Sequence, residues 1–93
     1  MTVRIEVPSA LAKDAGGQRV VELDTGDTTV ARLLDRLRTE FPTLERRLRD
    51  EQSAVRQHVN VYVDDIDIRT LSGVDSAVPD GSLVMIIAAV SGG

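Results

Sequence analysis

Pro79-Asp80-Gly81-Ser82-Leu83-Val84-Met85-Ile86-Ile87 decides how the rest of this 93-residue chain is read. Pro-Asp-Gly is turn chemistry, and the five apolar residues from Leu83 to Ile87 are too few for a helix and show no polar alternation. They predict a strand buried on both faces. In a chain too short for more than one modest core, such a strand sits in the middle of a sheet.

Upstream of it, Val59, Val61 and Val63 alternate with His58, Asn60 and Tyr62 in a strand. Asp64-Asp65 then turns the chain into a short strand over Ile66–Arg69. Leu71, Val74 and Val78 are expected to pack down from the connecting loop. At the other end, Val3, Ile5 and Val7 alternate with Thr2, Arg4 and Glu6 in a first strand closed by Pro8. Ser9 to Gly17 reads as a loop with one helical turn, and a second strand follows at Arg19–Leu23.

Val30, Leu33, Leu34, Leu37 and Phe41 form one apolar stripe at helical spacing, with Asp27 or Thr28 as its cap and Pro42 as its stop. Arg32, Asp35, Arg36 and Arg38 fall on the solvated side, where the arginines also offer a docking face. Thr43 to Arg49 predicts a second short helix with Leu44 and Leu48 inward, and Asp50 to Gln57 a polar loop. The order predicts an α+β domain over residues 1–87, a mixed sheet of four to five strands with one main helix packed across it. A β-grasp arrangement fits that order, with residues 88–93 as an exposed tail.

Composition excludes several classes of function. A net charge of −4 argues against nucleic acid, and no apolar run approaches the length of a membrane span. With no signal-peptide pattern at Met1-Thr2-Val3-Arg4-Ile5, the expected location is cytoplasmic, and the free chain is expected to be a monomer. Cysteine is absent, so no thiol nucleophile, disulfide or thiolate metal site exists on this chain.

Internal candidates for catalysis are weak. His58 is the sole histidine and is placed in a strand without a partner group. Asp64, Asp65 and Asp67 suggest a cation site but lack the glycine and distal glutamate of a calcium loop, so turn-making is preferred. Gly16-Gly17 is not followed by the Lys-Ser/Thr of a phosphate loop. Ser9, Ser72 and Ser91 have no visible base. No metal site, no cofactor on this chain and no enzyme activity of its own are expected.

The end of the chain remains. Two terminal glycines arise by chance in roughly one chain in 200 at background glycine frequency. Here they close a segment, Ala88 to Gly93, that extends about 20 Å from the last strand. Glycine lets a partner's groups close tightly around a terminal carboxylate. That carboxylate is ionised and inert at neutral pH, and becomes acyl-reactive only once activated, most simply as a mixed anhydride with AMP. Since this chain has neither a nucleotide site nor a base, a separate enzyme must carry out that step.

Val59-Asn60-Val61-Tyr62-Val63, Asp67-Ile68-Arg69, the helix ending at Phe41-Pro42, and Asp80-Gly81 through Ala89-Val90-Ser91-Gly92-Gly93 carry a resemblance. They resemble the ubiquitin-like sulfur carriers of the MoaD/ThiS superfamily, above all its CysO-like actinobacterial branch. The resemblance implies that Gly93 is adenylated by an E1-like activating enzyme using ATP. It becomes a thiocarboxylate and donates sulfur to a downstream biosynthetic enzyme. By the same resemblance Gly92 and Ser91 line the partner's channel, and Val90 anchors the tail beside Ala89. Ile87 contacts the activating enzyme. Many relatives have proline where this chain has Ala88, which implies a less rigid tail start here. The alternative is a protein modifier, in which activated Gly93 is joined to a target lysine.

Overall fold

The structure, a computed structural model, describes residues 1–88. Its sheet is assembled around the strand that follows Pro79-Asp80-Gly81. Strands β1 (Thr2–Glu6), β2 (Val20–Asp24), β4 (Val59–Val63), β5 (Ile66–Asp67) and β7 (Leu83–Ala88) form one mixed sheet in the order β2-β1-β7-β4-β5. Strand β7 is central, parallel to β1 and antiparallel to β4. Two further two-residue strands, β3 (Thr28–Thr29) and β6 (Ala77–Val78), pair apart from it.

Helix α1 (Val30–Glu40) lies across one face of the sheet, and α2 (Pro42–Leu48) packs beside it. The α1 stripe of Val30, Leu33, Leu34 and Leu37 is buried against Val3, Ile5, Val61, Val84 and Ile86, among others. Proline 42 ends α1 and begins α2, where its missing N–H is not needed. The Asp64-Asp65 turn has positive φ at both residues, 48° and 71°, the geometry a two-residue hairpin requires and one that Asp tolerates.

Several expectations from the sequence are corrected. Strand β7 is buried on one face only: Val84 and Ile86 are covered, Leu83 and Met85 are partly open, and Ile87 is 44% exposed. Helices cover a single side of the sheet, so a central strand need not be enclosed on both. The cap of α1 is Thr29, whose hydroxyl accepts the Arg32 N–H at 3.3 Å. Pairing of Thr28-Thr29 with Ala77-Val78 keeps the chain extended past Thr28, and the Asp27 carboxylate instead accepts the Asp80 N–H at 2.8 Å.

Leu71 is 50% exposed, whereas Val78 is buried and Val74 packs on the core. The strand after the hairpin stops at Asp67, because its carboxylate caps a 3₁₀ turn over Ile68–Thr70. His58 precedes β4 in an exposed turn. Ala88, placed with the tail by the sequence, is instead the last residue of β7, opposite Val59.

Candidate functional site

Register fixes what surrounds the point where the chain leaves the sheet. Alternation along β7 turns Val84, Ile86 and Ala88 inward and Leu83, Met85 and Ile87 outward, each outward pair about 7 Å apart. On the outer face Leu83 lies opposite Arg4, which lies opposite Glu22. Met85 sits in a row that runs Val20, Glu6, Met85, Tyr62, Asp67 across all five strands. Ile87 lies opposite Asn60, next to the tail root.

The outer face is therefore an apolar spine of Leu83, Met85 and Ile87 extended by Tyr62 and bordered by Glu6, Glu22 and Asp67. No helix or strand of the described residues lies over it. The Arg69 guanidinium donates to the Asp67 carboxylate at 2.8 Å, and the Arg69 backbone N–H donates at 2.9 Å. Both bonds favour the ionised form and hold Asp67 below its ordinary pKa, the side-chain bond contributing most.

Of the sequence-predicted site residues, Ile87 is on this face and open to a partner. Ala89, Val90, Ser91, Gly92 and Gly93 lie outside the described residues. The remaining candidates do not come together. The Asp64 carboxylate accepts the Leu83 N–H at 3.0 Å and Asp67 pairs with Arg69. Among the described residues no group of three or more His, Asp or Glu is placed to hold a metal. Nor is any helix among them long and apolar enough to cross a membrane.

Sequence reasoning singled out none of Leu83, Met85 and Tyr62, which share this open face with Ile87. The apolar run from Leu83 to Ile87 hinted at it only in combination with the single main helix the sequence predicts, since one covering layer leaves Leu83, Met85 and Ile87 without a packing use.

With this geometry in place, likeness to known proteins becomes informative. Residues 5–93 match the ThiS family. The chain belongs to that family. Its relatives include the sulfur carrier protein CysO of Mycobacterium tuberculosis, 38% identical over 95 residues, an alignment spanning all of both chains. A chain in the crystal structure of the Amycolatopsis orientalis BexX/CysO complex is 32% identical, with a TM-score of 0.86 over 98% of this chain and 99% of that one. SAMP1 from Haloferax volcanii is 29% identical, with a TM-score of 0.82 over the whole of both chains. In this ThiS-family member the β-grasp sheet, five strands with α1 across it, places the root of the tail at the end of its central strand, next to Ile87 on the open face.

Proposed function

We propose that this ThiS-family chain is a sulfur carrier that works in the cytoplasm and leaves catalysis to its partners. An E1-like enzyme binds it, and the Gly93 carboxylate attacks the α-phosphorus of ATP, expelling pyrophosphate and forming an acyl adenylate. Sulfide attacks the acyl carbon and AMP departs, leaving a thiocarboxylate. Where the donor is a persulfide, attack by its terminal sulfur expels AMP and gives an acyl disulfide, which a thiol of the partner enzyme cleaves to the thiocarboxylate and a disulfide. The thiocarboxylate is handed to a sulfur-accepting biosynthetic enzyme. Gly92 and Ser91 occupy the channel of the activating enzyme, with Ala89 and Val90 anchoring the tail. The uncovered face, with Ile87 at its tail end, is the docking surface.

The observation that carries this reading is the full-length likeness to CysO sulfur carriers, with the family match running to Gly93. The open apolar spine supports it. Leu83, Met85 and Ile87 lie on the strand that leads into the tail, so a partner that covers them receives the tail. A labelled pyrophosphate exchange assay tests the adenylation step. The activating enzyme should exchange pyrophosphate into ATP with the full chain and not with a chain lacking Gly92-Gly93. Equal exchange with both would refute a role for the tail.

A protein-modifier reading shares the activation step and is favoured by the likeness to SAMP1, a small archaeal modifier protein. In that reading Gly93 ends as an isopeptide on a target lysine. Lys13 is the only lysine of this chain, which confines side-chain branching to one position.

A further inference from the structure

The side of the molecule opposite the docking spine has a different electrostatic character. From Arg32 to Arg56 the chain carries seven arginines against five carboxylates, a net +2. The rest carries four cations against ten carboxylates, a net −6. The positive segment comprises nearly all of α1, α2 and the loop that returns to β4, so it forms the helical layer.

Not all of these arginines are available. Arg36 pairs with Glu40 at 3.1 Å, and Arg47 pairs with Asp14 at 2.7 Å. Arg49 is 2% exposed and donates to Glu45 at 2.8 Å and to Asp35 at 2.9 Å. Those two bonds tie α1 to the end of α2 and fix Arg49 in place.

Beside it is a cleft of about 400 Å³ lined by Arg38, Glu45, Arg46, Arg49, Asp50 and Arg56, together with Glu51 and Ser53. Arg46 and Arg56 have no carboxylate partner among the described residues. They are held next to each other, since Arg56 Nε donates to the Arg46 carbonyl at 3.1 Å. Arg38 reaches Asp35 only at 3.8 Å and is exposed. On the acidic side, Asp50 accepts two backbone N–H bonds of its own loop, from Gln52 and Ala54. Glu51 is the only other carboxylate of the cleft not already bound to Arg49.

We infer that this arginine-lined cleft is a second docking site, which receives carboxylate side chains of a partner protein. Planar guanidinium groups bind carboxylates through two parallel hydrogen bonds, which a lysine cannot do, and three arginines here come from three separate segments. In a protein of net −4, an acidic partner is repelled elsewhere and attracted here, so the cleft also selects orientation. Because the cleft and the spine lie on opposite sides of the sheet, a partner seated on the helices leaves Ile87 and the tail root uncovered. The carrier can then be held by one protein while another works on its tail. The carrier reading enters only in choosing the partners for the test.

Dissociation constants decide the matter. They are measured for the activating enzyme and the sulfur-accepting enzyme of the same organism against wild type, R46E/R56E and R46K/R56K. Salt is set at about 0.1 M and about 1 M, where the screening length falls from about 10 to about 3 Å. The expected result is a loss of roughly tenfold or more with R46E/R56E for at least one partner. Wild-type affinity for that partner falls with salt, the R46E/R56E affinity does not, and R46K/R56K lies between.

Thiocarboxylate formation at saturating activating enzyme reports on the tail separately and should persist in R46E/R56E. If R46E/R56E proves unfolded, R46Q/R56Q takes its place with the same expected direction. Changes within about twofold for both partners would overturn the inference. So would wild-type self-association that R46E/R56E abolishes, since the occupant would then be a second copy.

Discussion

Val84 and Ile86 on one face of β7, and Leu83, Met85 and Ile87 on the other, are chemically alike, yet α1 and the core cover only the first set. The inner residues hold the fold together. The outer ones leave apolar surface open, and it is this surface that the proposed docking uses. Burial therefore separates packed from open apolar residues within six consecutive positions. Substitutions along β7 can break the two apart.

The largest effect on stability is expected inside. Ile86→Ala removes buried methylene groups from a site enclosed by the helix layer and should cost about 3 kcal/mol in urea unfolding. An effect below about 1 kcal/mol would show that the inner face is not a packed core. The helix that covers that face depends on its cap, so Thr29→Ala should cost about 1 kcal/mol by the same measurement.

Ile87→Asp should change stability by no more than about 0.5 kcal/mol, as exposed positions generally do. Its effect should appear as a KM for thiocarboxylate formation raised roughly tenfold with kcat retained, the mark of lost docking. If Ile87→Asp unfolds the protein while activation of the folded fraction is unchanged, the two faces have been assigned the wrong way round.

The smallest effect is at the border of the outer face. Asp67 has its pKa lowered on folding, so it adds stability at pH values above its ordinary titration range. That contribution is lost as pH falls through the lowered folded-state value. Asp67→Asn should therefore make a small difference near neutral pH that disappears in acid, read from unfolding curves across the acid range. A difference that persists or grows in acid would contradict the Arg69 pairing.

Much of this was legible in the sequence. The valines of β1 and β4 alternate cleanly, and the helical stripe from Val30 to Leu37 has only one period that fits, so those elements could be placed from spacing alone. The outer face of β7 could not. An apolar run is the same string whether it is enclosed on two sides or kept bare for a partner, and only the count of covering helices distinguishes the cases. The α1 cap shifted to Thr29 because a long-range pairing with Ala77-Val78 overrides local cap preference. Pairing between Arg49, Glu45 and Asp35 was likewise invisible, since it depends on how α1 meets α2. The need for an outside activating enzyme was read from the glycine-ended tail following an apolar strand, and sulfur as its cargo came only from the family resemblance.

The most direct test of the account is an intact mass of the full chain after co-expression with an E1-like activating enzyme and a sulfur source. The predicted result is a gain equal to replacing one oxygen by sulfur, located on Gly93 by fragmentation. An unchanged mass, with the chain recovered instead as conjugates through target lysines, would contradict the carrier and favour the modifier.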